Sequence, residues 1–495
     1  MCEWLYDATR GDPENDIPPG TPWHDLPSGW VCPVCGADQE EFSQVPPPAD
    51  FAPANFSNTA STQAKSAPVE ATPAKPAPST GFYLSQWERK LDEREPEFRT
   101  ILAKALSGEE SVSAMRPSRW QNLLEDVVFL PAQLARSPLD YREATPDLSV
   151  TIGPAAKKPL TIGLPFYVSD MSFGSISKEA KIALAKGSAA TGTAIFGGEG
   201  GLLEEEYQAA RFYVFEYSTG RFGVTDENLK KSHAIQIKIG QAAKAGLGGH
   251  LLAAKVTDEI VAARGVKPGQ DIISPARHED ITTPRELAQK VAWLKEKGEG
   301  TPVGVKISTG WIERDLEVAL AAGVDFITLD ARGGSTGAAP DHIKDNVCIP
   351  LPYALARTRQ FLDRSGKREE VSLLVAGGVR TSADIAKCLA MGADAVGLAT
   401  AALIGIGCQQ YRICHRGSCP VGIATQNPDL RSRFDVEKSA AMLTSLFQVY
   451  SHEVEDYVRI CGKRRVADLA VEDLASLTLE LAQGTGLSFC GLAGG

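Results

Sequence analysis

Short apolar runs closed by glycine or a polar turn alternate with amphipathic stretches through most of the chain. PFYVSDM is followed by KEAKIALAKGSAATG and then TAIFGGEGG. Farther on, VGVKIS leads to RDLEVALAAG and VDFITLDARGG, and VSLLVAGG leads to SADIAKCLAMG and ADAVGLAT. Continuous apolar runs read as strands buried on both faces, and the stretches between them carry apolar residues at helical spacing. Strand, crossover helix and parallel strand in repetition predict a parallel sheet. Over about 250 residues the usual closed form of that pattern is a (β/α)8 barrel. The open doubly wound sheet is the competitor, but no GxGxxG turn opens a βαβ unit here.

The pattern changes ahead of the barrel. Residues 81–160 begin with an amphipathic helical stretch, SQWERKLDEREPEFRTILAKAL, and continue as a connecting region to the barrel at 161–480. Residues 46–80 lack periodicity and are rich in Pro, Ala and Ser. They hold too little apolar surface to offset the entropy of ordering, so they predict a linker spanning roughly 30 Å as a coil. Residues 1–45 are dense in aromatics, Gly, Pro and Asp. The predicted domains are therefore 1–45, the linker 46–80, the helical 81–160 and the barrel 161–480.

Composition narrows the function. A net charge of -11 argues against a broad nucleic-acid surface and against docking on an anionic membrane. The N-terminus has no basic segment followed by an apolar run, and no apolar run reaches membrane-spanning length. A cytoplasmic location is the expectation, in which the ten cysteines are thiols or metal ligands rather than disulfides. Cys348, Cys388, Cys461 and Cys490 stand alone and read as small buried hydrophobes.

Two stretches carry chemistry. In VAGGVRTSADIAKCLAMGADAVGLAT, Gly377 and Gly378 end one strand, and Gly397 and Thr400 end the next. Glycines at the ends of late barrel strands let backbone N–H groups approach a phosphate. The plainer reading is that they make tight turns. A phosphate site without a dinucleotide fingerprint points to FMN or a phosphosugar. Then GCQQYRICHRGSCPVG spaces Cys408, Cys414 and Cys419 as C-x5-C-x4-C. Three thiolates this close suit an iron–sulfur cluster. A Cys3His zinc site with His415 is the alternative, and Cys461 or Cys490 could supply a fourth ligand to a four-iron cluster.

Residues of about 85–480 resemble the FMN-binding and synthase region of glutamate synthase. The resemblance runs through SDMSFGSIS (169–177), FGGEGG (196–201), STGRFGVT (218–225), QIKIGQAAKAGLGGHL (236–251), DIISPARHEDI (271–281) and ARGGSTGAAP (331–340) to the cysteine triple. It implies a (β/α)8 barrel carrying FMN and a 3Fe-4S cluster at Cys408, Cys414 and Cys419. It also implies reductive amination of 2-oxoglutarate to glutamate by way of 2-iminoglutarate. By the same resemblance Lys244, with Gln241 beside it, contacts substrate. Arg264 clamps a carboxylate, and Glu199 sits by substrate or flavin. Ser172, Lys306, Gly333 and Gly334 line the flavin, with Lys306 placed to stabilise negative charge on the ring. The chain departs from the KPGEGGQ of the large enzymes by reading KAGLGGH, with Leu247 and His250. That is similar to a shorter branch containing the flavin subunit of methylamine–glutamate N-methyltransferase.

The opening MCEWLYD has two readings, an N-terminal nucleophile after removal of Met1 or half of a metal-binding pair. Residues 2–42 resemble rubredoxin in CEWLYD, GDP, PPGT and CPVCG, which favours the second. The resemblance implies one iron held by thiolates, of which Cys2, Cys32 and Cys35 are visible. Trp4, Tyr6, Trp23, Trp30 and Phe42 would form its aromatic core. Cys2 aligns with the second cysteine of its pair, so its mate is expected upstream of Met1, within a longer reading frame. Electrons would then pass from the rubredoxin-type iron through the cluster to FMN. The partners implied are 2-oxoglutarate and ammonia, a separate glutaminase-like subunit and an external reductant. A non-catalytic electron-transfer module is the rival from another class.

Overall fold

The computed structural model of the protein describes residues 97–492 apart from Ala144, Ala242 and Ala243, together with Arg94, Glu95 and part of the segment between 12 and 30. The chain divides into two units, Met1–Glu88 and Arg89–Gly495.

In the first unit an indole explains the local fold. Trp30 is buried with Ile17 and Leu26, and a buried N–H needs an acceptor. Trp30 Nε1 donates to Asp12 Oδ2 at 2.7 Å, and Asn15 Nδ2 donates to the same oxygen at 2.7 Å. Asp12 and Ile17 also exchange backbone hydrogen bonds of 3.0 and 2.8 Å. Trp23 meets Trp30 edge-on, with ring centroids 5.4 Å apart. Trp4, Tyr6, Phe42, the linker 46–80 and the cysteines Cys2, Cys32 and Cys35 lie outside the described residues.

The second unit begins with helix α1 (Phe98–Ser107), the described part of the amphipathic stretch. Eight parallel strands then close into a barrel in sequence order. They are β1 (Phe166–Val168), β2 (Ala194–Phe196), β3 (Phe212–Tyr217), β4 (Ala234–Lys238), β5 (Val303–Ser308), β6 (Phe326–Asp330), β7 (Ser372–Ala376) and β8 (Ala395–Leu398). Between or after them come α2 (Lys178–Ala190), α3 (Glu204–Ala209), α4 (Asp226–Lys231), α5 (Asp258–Arg264), α6 (Pro284–Lys297), α7 (Ile312–Ala321), α8 (Leu351–Arg364), α9 (Ser382–Ala390), α10 (Thr400–Gly405) and α11 (Val436–Ile460). This is the α/β barrel that the alternating pattern predicts. β3 and β4 were not foreseen as strands, because Glu216, Gln236 and Lys238 break their apolar runs.

Local signals set the helix starts. Ser177 caps α2 by accepting from the Ala180 amide, and Thr283 with Glu286 forms a capping box at α6, with Pro284 in its first turn. Gly187 lies inside α2, where glycine costs about 0.5–1 kcal/mol. Its missing side chain admits α11, since a Cβ there would stand 2.8 Å from Leu443 Cδ2.

The two barrel ends differ. An antiparallel pair, Val150–Ile152 with Leu160–Ile162, supplies Ile152, Leu160 and Ile162 to an apolar cluster with Ala194, Phe326 and Ala395 from the strand beginnings. That end is plugged. The strand C-termini face the other way, and their loops build the site. The segment ahead of the barrel reaches over to that side: Val112–Ser113 pairs with Ala339–Pro340. Val127–Phe129 pairs with Leu474–Ser476 near the chain's end. Among the described residues no helix is long and apolar enough to cross a membrane. Cys388 and Cys461 are buried, whereas Cys490 is exposed, contrary to expectation; it follows a short terminal strand that presents one side to solvent.

Candidate functional site

Strand ends and the loops after them gather six of the expected side chains on one cavity of about 180 Å³: Ser172, Glu199, Gln241, Lys244, Arg264 and Lys306. Cys408, Cys414 and Cys419 line the same cavity. Ser172 follows β1, Glu199 follows β2, Gln241 and Lys244 follow β4, Arg264 ends α5 and Lys306 lies in β5. Residues distant in sequence thus meet because every strand points its C-terminus to one face.

The floor is a lattice of charge. Lys238 and Lys306 are direct neighbours across β4 and β5, and two ammonium groups side by side repel. Carboxylates offset them. Lys306 Nζ stands 2.8 Å from Asp170 and 3.3 Å from Asp330, and Lys238 Nζ stands 2.8 Å from Glu199 and 3.4 Å from Glu216. Gln236 donates to Asp170 at 2.8 Å and accepts from Thr328 at 2.7 Å, which fixes its orientation. Burial alone would depress both lysines, but the facing carboxylates outweigh it and hold both above the usual lysine range. Burial likewise works to raise Asp170 and Glu199, and Lys306 and Lys238 respectively overcome it and keep both carboxyls low.

Three groups are left less well compensated. Burial, with Lys238 nearby, depresses Lys244. Burial also lowers Arg264 to about 10 against the pull of Glu199. One Arg264 nitrogen donates to the Phe173 carbonyl at 2.7 Å, and the guanidinium lies 5.0 Å from the Phe222 ring centroid. Its Nε is buried without a partner, so the fork retains donor capacity. Glu216 is the fourth carboxyl, pushed up to about 8 by burial. Both of its oxygens are buried without a hydrogen-bond partner, and the nearby Asp170 carboxylate adds to the rise while Lys238 opposes it.

The Glu216 carboxyl gives a stability prediction with a definite sign. Its folded pKa is above its unfolded value, so the folded state binds a proton more tightly between about pH 4.5 and 8. Its stabilising contribution is present in full at low pH and is lost as pH rises through about 8. Thermal melts of Glu216→Gln should show a shallower decline over that window than the parent. Equal slopes in the two proteins would reject the assignment.

Sequence reasoning missed Lys238, Glu216, Asp170 and Asp330, although each is a charge at or near the C-terminal end of a strand. It also missed the groups near the glycine motifs. Gly377 and Gly378 adopt φ values of +111° and +96° and border a small cleft with Trp120. A Cβ at Gly333 would come within 2.3 Å of Trp120 Nε1, and one at Gly378 within 3.0 Å of its ring. These glycines therefore admit Trp120 from the segment ahead of the barrel. Gly334 turns the chain, its amide donating to the Ala331 carbonyl at 3.0 Å. Gly397 lies outside the cavity, and a Cβ there would contact Tyr167 at 3.0 Å.

Thr400 Oγ1 donates to Ser335 Oγ at 3.1 Å, and Arg380 Nη2 lies 3.5 Å from that same oxygen. Burial, with Arg116 close by, lowers Arg380 to about 10, and Arg116 stacks over Trp120 at 4.3 Å. Among the described residues neither arginine has a carboxylate within ion-pair distance. Two guanidiniums, two hydroxyls and glycine backbone without Cβ atoms form a donor set that fits a phosphomonoester.

The cysteine loop is tightly wound, with Gln410 and Arg412 both at φ +59°. Burial and the neighbouring sulfurs push Cys414 up to about 11, so its thiolate is disfavoured unless a cation binds it. Gln410 Nε2 lies 3.4 Å from Cys408 Sγ. Among the described residues no three His, Cys, Asp or Glu side chains gather closely enough for a single ion. Cys461 and Cys490 do not line this cavity.

Comparison with known proteins adds the following. The family model for the conserved region in glutamate synthase matches residues 93–464, and that for rubredoxin matches residues 1–42. A glutamate synthase large subunit-like protein of Rhizobium meliloti is 37% identical over 377 residues, 72% of this chain and 85% of that protein. An archaeal glutamate synthase (NADPH) of Methanocaldococcus jannaschii is 41% identical over 63% of this chain, which spans 61% of that relative. Among solved structures, a double mutant of flavocytochrome b2 with pyruvate bound aligns at a TM-score of 0.50, covering 74% of this chain and 81% of that one. At 17% identity that likeness concerns the fold alone.

Proposed function

Because this chain belongs to the glutamate synthase family over residues 93–464, we propose that it catalyses the reductive amination of 2-oxoglutarate to glutamate, holding FMN and a 3Fe-4S cluster. A single observation carries the reading: one cavity at the C-terminal barrel face joins Glu199, Lys244, Arg264 and Lys306 to three cysteines. Cationic and acidic groups and soft sulfur ligands share that space, and Ser335 on its wall is hydrogen-bonded to Thr400 and Arg380 of the phosphate-compatible donor set beside it.

Cys408, Cys414 and Cys419 would hold the cluster; Ser172, Lys306, Ser335, Thr400 and Arg380 would hold FMN. When bound, the cluster would supply single-electron transfer and the flavin would supply two electrons with a proton, as hydride, to the imine carbon. The remaining work belongs to the chain. Arg264 and Lys244 bind the two carboxylates of the oxo acid, and Gln241 orients it from the same loop. Lys238, fixed by Glu199 and Glu216, keeps positive charge beneath the reacting carbon. Glu199 is an ionised acceptor for ammonia or the imine nitrogen, and the deep floor excludes bulk water. The rubredoxin match over residues 1–42 supports an iron at Cys2, Cys32 and Cys35 as the donor of electrons to the second unit. The glutaminase-like partner and the external reductant belong to the same proposal.

Anaerobically loaded protein given a reductant, ammonia and 2-oxoglutarate should form glutamate. His250, hydrogen-bonded to Asp271 at 2.7 Å, and exposed Leu247 alter the β4 loop where the nitrogen donor would be sensed. A glutamate-derived secondary amine formed only with methylamine would replace this reading with the N-methyltransferase one. Within the amination reading, Arg264→Lys removes the fork while keeping the charge. The KM for 2-oxoglutarate should rise by about ten- to a hundredfold, with a smaller change in kcat. An unchanged KM would remove Arg264 from substrate binding.

A further inference from the structure

Behind the cavity lies an ion pair that the proposed chemistry does not use. Lys181, on α2, and Glu206, on α3, stand 2.7 Å apart, each with a side chain only 1% exposed. Burying two opposite charges contributes little stability by itself, since desolvation offsets the attraction. The lysine also does something else. Its Nζ donates to the Met171 carbonyl at 2.7 Å and to the Gly197 carbonyl at 2.7 Å. Those carbonyls belong to the loops after β1 and β2, which carry Ser172 and Glu199.

The two loops touch backbone to backbone. Gly198 has φ +76°, and a Cβ on it would lie 2.7 Å from Met171 N and 2.8 Å from Ser172 N. No cis peptide occurs among the described residues, so each peptide is trans and planar, with its N–H opposite its C=O. A carbonyl drawn back toward Lys181 therefore turns the following amide the other way. Those amides belong to Ser172 and Gly198, both of which line the cavity. Among the described residues neither N–H donates to a backbone acceptor. Two adjacent amides without backbone partners, held by one buried cation from behind, form a fixed donor pair.

We propose that Lys181, neutralised by Glu206, is a positioning residue that turns the Ser172 and Gly198 amides into the cavity as a paired donor for an electron-rich acceptor atom of the bound ligand. The inference rests on the flavin and oxo-acid reading above, and the acceptor belongs either to the flavin ring or to the oxo acid. Preorganised backbone donors cost no reorganisation when the ligand arrives, so their value depends on the lysine holding both loops at once.

Two variants test this. Lys181→Met alone strands Glu206 and should lower the melting temperature, which a structural role also predicts. Lys181→Met/Glu206→Leu replaces the pair by apolar groups and should recover the parental melting temperature, while the carbonyls stay unheld. In that stable protein, fluorescence titration of the apoprotein with FMN should show affinity weakened on the order of tenfold. Failing that, the KM for 2-oxoglutarate should rise by a similar factor, which would identify the oxo acid as the occupant. A double variant that is stable and matches the parent in both measurements overturns the proposal. A parent that takes up no FMN overturns the flavin reading itself, a distinguishable failure.

Discussion

Cys414→Ser should yield a folded protein that still binds FMN but shows no paramagnetic cluster signal and almost no reductant-driven glutamate formation. The expectation follows from the placement of the three sulfurs on one cavity wall and from the chemistry of Cys414. Burial and the neighbouring sulfurs hold its thiol up at about 11, so the ionised form has little reason to exist there without bound iron. A hydroxyl is still harder to ionise and is a poor ligand for a soft metal. Outer contacts to metal sites already cost up to about a hundredfold when removed. Loss of a direct ligand should exceed that. The measurement is iron and acid-labile sulfide per chain, read together with turnover. Full cluster content with normal turnover in the variant would dismiss the assignment.

Lys238→Met should reduce kcat/KM for 2-oxoglutarate by about a hundredfold or more, the usual scale for removing a charge directed at a developing transition state. It should also cost about 3–5 kcal/mol of stability, because Glu199 and Glu216 lose their shared buried cation. A second readout separates the two effects. Lys238 keeps the Glu199 carboxyl low against the effect of burial. Without it the Glu199 pKa rises, and the acid limb of the pH–rate profile should move to higher pH. A rate loss with an unmoved limb would assign Lys238 to structure alone.

Both predictions depend on residues that differ in how visible they were beforehand. Six strands could be read from mainly apolar runs, since strands buried on both faces leave that signature, even though Lys306 interrupts β5. β3 and β4 escaped because FYVFEY and AIQIK place Glu216, Gln236 and Lys238 inward, toward the cavity, where function breaks the hydrophobic rule. The same break was the available signal for these residues. Ser172, Glu199, Lys244 and Arg264 are named through motif resemblance and the cysteine triple through its own spacing, because short loops keep their chemistry local. Arg116 and Trp120 reach the glycine notch from the segment ahead of the barrel, and only tertiary folding brings them to Arg380, which follows the glycine pair in the quoted stretch itself. Gly397 shows a second demand on a motif glycine, since a Cβ there would crowd Tyr167 and Ser169.

Trp120 enters the Gly333 and Gly378 notch from outside the barrel repeat, and that has a practical corollary for dissection. A fragment cut at the first barrel strand would preserve every pairing of the barrel strands yet lack the indole that fills this notch. Chimeras and minimal versions should therefore place their upstream junction before Val112, where the lead-in strand begins to zip onto Ala339–Pro340. Recombination points chosen by barrel symmetry alone would discard a component that the symmetry does not encode.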